Sequence, residues 1–290
     1  MGSAVHSFLV VCCIMWKISI LCGVFGLFVA VVVSDQSFYC DANSCPSYNP
    51  SLPPRKHIGC GNNGGFDHEC PSNAEIIPID EQKQLLFLKL HNRLRDRLAR
   101  GKVPGFKKAA KMPMLKWNDE LAKLAELNVR TCKFEHDECR ATKICPYAGQ
   151  NLAWSASFPD FQDVNYVIKN STREWFNEYR FANQAHTDRY TTGSGNGGQI
   201  GHFTAFIHEK SDKVGCAVVK YSKGEDQYKE YLVACNYCYT NMMFEKIYTT
   251  TTGKPCSQCK NKKCGKVYKN LCDKSEEVEP IPDVLKQNRG

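Results

Sequence analysis

The reactive chemistry open to this chain is first that of its cysteines. Seventeen occur in 290 residues, and all but Cys12, Cys13 and Cys22 lie beyond residue 34. The remaining even set points to disulfide bridging in an oxidising compartment, with up to seven bridges. Cys256-Ser257-Gln258-Cys259, followed by Cys264 and Cys272, has the spacing of half a zinc ribbon. In an oxidising compartment the same spacing reads better as a disulfide knot. Cys235-Asn236-Tyr237-Cys238 has the CxxC spacing of a redox pair but no thioredoxin-like surroundings. A nucleophilic thiol needs an unpaired cysteine, and the even count argues against one. No serine sits in a GxSxG elbow and no HExxH occurs. With no nucleophile identified, the chain is read as a non-enzyme.

The remaining chemistry is that of surfaces. Lys254, Lys260, Lys262, Lys263, Lys266 and Lys269 crowd the carboxy-terminal cysteines. Such a patch either solvates a cysteine-rich loop or meets an acidic glycan or receptor. Asn170-Ser171-Thr172 is a glycosylation sequon at Asn170. Basic and aromatic residues are not interleaved in a nucleic-acid motif, so nucleic acid is excluded as a partner. No Arg-Gly-Asp triplet occurs.

The elements that must hold these residues follow from the hydropathy pattern. Residues 1–34 read as a signal peptide, with a charge-free apolar run from Ile18 to Val33 after Lys17. Its removal takes the formal charge from +8 to about +7 and implies secretion, with no stable membrane insertion afterwards. Residues 35–79 form a cysteine-rich amino-terminal extension, too poor in apolar residues to fold alone. Residues 80–244 form the main α/β domain. Within it Leu85, Leu86, Leu88, Leu90, Leu94 and Leu98 give a helical stripe stopped at Gly101. Asn118 is expected to cap a second helix that buries Leu121, Leu124, Ala125, Leu127 and Val129. Residues 163–179 read as an interrupted helix, with Ser171 and Glu174 as a capping box. Strands are expected at about 200–208, 214–222 and 229–236, with a flexible glycine loop at 193–198. Residues 245–272 are a cysteine-rich carboxy-terminal segment, and 273–290 are expected to be a disordered tail. No internal repeat is present.

Several short motifs then fall in a recognisable order. They are His91-Asn92-Arg93-Leu94-Arg95, Trp117-Asn118-Asp119-Glu120-Leu121-Ala122 and Gly149-Gln150-Asn151-Leu152. Gly201-His202-Phe203-Thr204-Ala205-Phe206-Ile207 and Tyr231-Leu232-Val233-Ala234-Cys235-Asn236-Tyr237 complete the series. Together they resemble the CAP superfamily of antigen 5, cysteine-rich secretory and pathogenesis-related proteins. With the amino-terminal cysteines, the chain is most similar to the insect antigen 5 branch. The resemblance implies an α+β fold, a three-layer α-β-α sandwich with disulfide-rich extensions at both ends. It also implies the pairs Cys40 with Cys60, Cys45 with Cys139, Cys70 with Cys132, and Cys216 with Cys235. Cys145, Cys238, Cys256, Cys259, Cys264 and Cys272 are left unassigned, since six cysteines allow fifteen connectivities. Two departures from the family pattern stand out: His208 where Trp is usual, and Cys238-Tyr239-Thr240-Asn241 where a Pro and a Gly are usual.

The family's solvent-facing cavity carries two histidines and two acids. Carried over, these positions are His136, Gln150, Glu178 and His202. Two imidazoles and a carboxylate, His136, His202 and Glu178, make a sparse metal set suited to weak binding of zinc or copper. Gln150 replaces one acid, which removes a candidate base and weakens any acid–base chemistry. No cofactor is required. The resemblance implies a secreted, extracellular binding protein, monomeric by default, whose partner is a protein, glycan or lipid. A sterol or fatty-acid carrier with a wall at Phe158 to Ile168 is the alternative. A metal-dependent hydrolase or scavenger is the third expectation.

Overall fold

The computed structural model describes residues 36–47, 51–224 and 227–283. The signal-peptide expectation at 1–34 lies outside them. The central sheet runs in the order β1 (Glu75–Ile77), β5 (Lys213–Lys223), β6 (Tyr228–Tyr237) and β4 (Gly149–Ser157). Its pairings are antiparallel, and β3 (Lys116–Trp117) adds in parallel to the start of β5. A second, two-stranded sheet joins β2 (Lys108–Ala109) to β7 (Thr250–Thr251).

Side chains alternate across β5 and β6, and both faces are buried. Val214, Cys216 and Val218, with Tyr231, Val233, Cys235 and Tyr237, face one core. That core also holds residues of α1 (Glu81–Ala99), α3 (Val164–Asn177) and α5 (Gly201–Phe206); the short α4 (Gln184–Asp188) lies between α3 and α5 in sequence. Ala217, Val219 and Tyr221, with Leu232 and Ala234, face Ala125 and Val129 of α2 (Asp119–Val129). The result is a three-layer α-β-α sandwich. Gly215 sets how close α2 lies to β5: a Cβ there would come within 2.2 Å of the Ala122 nitrogen and 2.4 Å of the Asn118 oxygen.

The helix expected after Asn118 forms because the Asn118 side chain accepts from the Leu121 N–H at 2.8 Å. Elsewhere the pattern misleads. The leucine stripe of α1 is only part of its buried face: Leu98 is fully buried and Leu86, Leu88, Leu90 and Leu94 pack half-buried against the core, but Leu85 is 57% exposed, and Phe87, His91, Asn92, Arg95 and Ala99 are buried beside them. The run at 200–208, expected as a strand, contains the helix α5 instead. A short apolar run buried on all sides carries no period to separate the two. Gly149-Gln150-Asn151, for which no strand is expected, opens a nine-residue strand, β4. No interruption breaks α3: Asp163 caps it, accepting from the Tyr166 N–H at 2.9 Å, and Ser171 lies within the helix rather than capping it. The Gly193–Gly198 stretch is loop, as expected.

The polar face of α1 is used as a clamp. Arg95 is fully buried and donates to the carbonyls of Pro113, Phe206, His208 and Ser211 at 2.8–3.2 Å. Burial pulls its guanidinium down to about 9. Asn92 donates to the Leu115 carbonyl and accepts from its N–H. Two irregular segments are thereby fixed to one helix through their backbone groups.

All fourteen cysteines in the described residues are paired. The bridges are Cys40–Cys60, Cys45–Cys139, Cys70–Cys132, Cys145–Cys238, Cys216–Cys235, Cys256–Cys264 and Cys259–Cys272. The zinc-ribbon spacing at Cys256 is therefore a disulfide knot. Residues 273–283 of the expected disordered tail are tied to the body. Glu276 is 3% exposed, Lys116 donates to its carbonyl, and Lys210 reaches Asp283 at 2.8 Å. Buried Lys210 and Glu245 provide the polar anchor that composition did not reveal.

Candidate functional site

The loop carrying His136 has no regular structure of its own and is held by covalent staples. Three bridges leave it within fourteen residues, at Cys132, Cys139 and Cys145. Two of them lead to the amino-terminal extension. That segment reinforces the attachment: Ile58 N–H bonds the Cys139 carbonyl at 2.9 Å, and the Lys56 N–H bonds Glu138 at 2.7 Å. The buried His57 ring bonds the Ala141 carbonyl and lies flat on Tyr39, with centroids 4.5 Å apart. The extension thus supports the site rather than merely covering the body.

His136 Nδ1 lies 2.7 Å from Gln150 Oε1. The Gln150 amide nitrogen donates to Asp137 Oδ2 at 2.8 Å and Asn236 Oδ1 at 3.0 Å, so its oxygen must be the acceptor. His136 therefore carries its proton on Nδ1, and Nε2 presents a lone pair. Burial holds this imidazole below the ordinary histidine range, the bond to Gln150 opposes that, and the Arg140 and His202 charges add to the lowering. Asp137 is itself paired with Arg140 at 2.9 Å.

His202 comes from the first turn of α5. Its Nδ1 is 2.7 Å from Glu178 Oε1, while Glu178 Oε2 accepts from the His202 and Phe203 N–H groups at 2.8 and 3.1 Å. Glu178 closes the start of α5 and fixes the imidazole at the same time. This geometry changes the expected ligand set. Glu178 stands behind His202 as a positioning residue, with both oxygens engaged, and His202 Nε2 is left for the cavity. A second contact holds His202 from the sheet. Asn151 donates to the His202 carbonyl at 3.1 Å and to Tyr237 Oη at 3.3 Å, and Tyr237 Oη lies 2.9 Å from His91 Nε2.

His136, Gln150 and His202 line one cavity of about 540 Å³, with Arg55, Tyr190 and Asn241 among its other walls. Glu178 does not reach this lining. It borders the adjoining cavity of about 440 Å³ between α3 and β4, where His202 is also found. Among the described residues, the ligand atoms of His136, His202 and Glu178 do not gather within 4.8 Å of one another, whereas those of Cys259, Cys272 and Glu276 do. The latter group offers no thiolate, because its two sulfurs are bonded to each other. At the histidines, two imidazoles, each engaged through Nδ1, line one open, polar cavity. It suits an exchangeable cation or a hydrogen-bonding ligand.

Asp137, Arg140, Asn236 and Asn151 are the site residues that sequence reasoning missed. Asp137 was detectable only as the acid next to His136. The expected glycosylation site, Asn170, lies on α3 beside Ser171 and the fully buried Thr172, whose hydroxyl bonds the Ile168 carbonyl.

The family model for the cysteine-rich secretory protein (CAP) family matches residues 88–237. The chain is 46% identical over 186 residues to the antigen 5 like allergen Cul n 1 of Culicoides nubeculosus, covering 63% of this chain and 84% of that protein. It is 38% identical over 242 residues to venom allergen-1 of Aedes aegypti, covering 83% of this chain and 89% of that protein. A crystal structure of NaASP2 with Zn2+ superposes with a TM-score of 0.54 at 27% identity, covering 70% of this chain and all of that one.

Proposed function

This chain belongs to the CAP family, and from that membership we propose that it is a secreted, non-enzymatic binding protein with a weak divalent-metal site in its cavity. The observation that carries the metal reading is the tautomer pair. Gln150 accepts a hydrogen bond from His136 Nδ1–H and Glu178 accepts one from His202 Nδ1–H, so each ring leaves its Nε2 for a ligand. Two imidazoles are too few to close a tetrahedral structural site, and the remaining positions fall to water or to a partner's side chain. Zinc or copper fits nitrogen donors of this kind. The likeness to a protein crystallised with zinc supports the same reading. A secreted setting agrees with full cysteine pairing, with relatives named as venom proteins and allergens, and with the lack of any membrane-length apolar helix among the described residues.

Gln150 is neutral and Glu178 buttresses His202, while the two acids that do line the cavity are engaged elsewhere, Asp137 by Arg140 and Glu138 by the Lys56 N–H, which is why binding is favoured over hydrolysis. The lipid-carrier alternative has weaker support. Phe158 and Phe161 of the expected wall are 66% and 36% exposed, while Val167 and Ile168 belong to the main core.

Native mass spectrometry of the secreted protein with added zinc tests the proposal. Wild type should gain zinc that a chelator strips, and His136→Ala with His202→Ala should not, while keeping all seven bridges. Zinc uptake by the folded double variant would overturn the site. Mass matching a bound lipid would move the carrier reading to first place.

A further inference from the structure

Charge is unevenly distributed along this chain. Residues 97–118 and 246–272 hold fourteen of its 38 lysines and arginines and none of its 30 acids. The two segments are far apart in sequence, but the fold joins them backbone to backbone. Lys108 and Ala109 pair with Thr251 and Thr250, the Gln258 N–H bonds the Ala110 carbonyl at 3.1 Å, and the Cys272 N–H bonds the Met112 carbonyl at 2.8 Å. Three of the fourteen cations have acidic partners: Lys111 and Lys116 near Glu276 and Asp212, and Lys260 near Glu277. The other eleven make no ion pair among the described residues, and all but Arg97 are exposed.

The carboxy-terminal part of this face is also rigid. Cys256–Cys264 and Cys259–Cys272 cross-link a seventeen-residue knot, and Lys262, Lys263, Lys266 and Lys269 project from it. Ser257, Gln258 and Asn261 are exposed among them and add neutral donors. A stapled backbone loses little freedom when its side chains are engaged, so the usual entropic opposition to binding is reduced.

We infer that this joined face is a docking surface for a sulfated glycan chain, separate from the histidine cavity. Exposed, unpaired cations spread over two joined segments match a linear polyanion better than a small anion, which needs an enclosing pocket. An anionic bilayer is less well matched. Stable attachment to one combines basic charge with an inserted apolar group, and the knot offers Val267 alone, at 81% exposure. The neutral donors suit sulfate and hydroxyl oxygens. Release of the glycan's counterions would drive much of the association and make it salt-dependent.

The test uses the secreted full chain and size-fractionated heparin as the probe, with affinity measured across a salt series. Lys262→Glu, Lys263→Glu and Lys266→Glu together should weaken binding at least ~10-fold and lower the salt slope by roughly three. Lys123→Glu, Lys169→Glu and Lys223→Glu change net charge equally elsewhere on the molecule and should shift affinity less than ~2-fold, since the lost charges lie off the docking face. Equal losses in the two triple variants would show that net charge alone is read, and would overturn the assignment. Equal binding of desulfated heparin would do the same, as would binding of phosphatidylserine vesicles without heparin. If the charge reversals impair folding, Lys263→Gln with Lys266→Gln supplies the comparison. Zinc uptake by the knot variants should equal that of wild type, so failure here is distinguishable from failure of the cavity reading.

Discussion

Acid should destabilise this protein through histidines that the fold keeps neutral, and His91 permits a quantitative test. The ring is fully buried, stacked on Phe206 with centroids 4.4 Å apart. Its Nδ1 lies 2.8 Å from the Phe87 carbonyl, so that nitrogen carries the proton. Its Nε2 accepts from Tyr237 Oη, whose own ionisation burial pushes up. A second proton would have to displace that hydroxyl hydrogen and charge the ring in an apolar layer near Arg95. Burial accordingly lowers the imidazole from 6.5 to about 3. The folded-state value is depressed for a base, so the unfolded chain binds the extra proton first. Stability is complete above the unfolded value of 6.5 and falls as the pH drops from there toward the folded value of about 3. By pH 5 the loss from His91 alone is about 2 kcal/mol. Urea midpoints at pH 7.5 and pH 5.0 should be compared for wild type and His91→Leu. The variant starts less stable, having lost two hydrogen bonds, but its drop between the two pH values should be about 2 kcal/mol smaller than that of wild type. His57, His136 and His208, lowered chiefly by burial, add to the acid loss. Glu209, which burial raises, opposes it. These contributions are common to both proteins and cancel in the comparison. An unchanged pH difference in the variant would refute the claim that His91 is held neutral by its surroundings.

Arg95→Met should cost about 3–5 kcal/mol by removing the donor to the buried carbonyls of Pro113, Phe206 and Ser211, and Arg95→Lys should not restore it, as urea unfolding of the three proteins would show. Cys45→Ser with Cys139→Ser should loosen the His136 loop while His202 keeps its bonds to Glu178, so zinc affinity should fall more than thermal stability of the core; equal losses would mean that the bridge acts on the whole fold. Gln150→Glu should place a carboxylate against Asp137 and lower stability at pH 8 by about 1–3 kcal/mol, with recovery on acidification as the new pair takes up a proton. Gly215→Ala should destabilise by at least ~2 kcal/mol, because the new methyl meets helix backbone that cannot rotate away.

The parts of the fold that could be read from sequence are those that depend on local rules. The Asn118 cap and the apolar face of α2 follow from helix period and capping alone, and β5 and β6 from β-branched runs bounded by turns. The parts that could not be read depend on tertiary contacts. Leucine spacing on α1 gave only part of its buried face, since the interior of that helix also holds His91, Asn92 and Arg95, whose partners lie up to 146 residues away. Buried apolar residues at 201–206 carry no period, so helix and strand were indistinguishable until Glu178 supplied the acceptor for its first turn. The tail at 273–283 is polar by composition, yet Lys210 and Glu245 in the body give it ionic anchors.

At the site, the substitution at position 150 takes on a different meaning in three dimensions. Read along the chain, a glutamine where an acid is usual looks like a lost charge. In the fold, Asp137 Oδ2 already lies 2.8 Å from the Gln150 nitrogen, and Asn236 Oδ1 lies 3.0 Å from it. A carboxylate at 150 would face two acceptors and have nothing to donate. An amide is the group that satisfies them while still turning an acceptor oxygen to His136. The negative charge is thus present at Asp137, neutralised by Arg140 and bonded to the amide rather than to the imidazole. The two histidines therefore differ: His202 is backed directly by a carboxylate, and His136 by a neutral relay to one. A ring backed by a carboxylate is the stronger electron donor, so His202 is expected to bind a metal first, with His136 completing the site. Single alanine variants can resolve that order, because His202→Ala should reduce zinc affinity more than His136→Ala. The reverse ranking would show that the charge buried at Asp137 is transmitted through Gln150 after all.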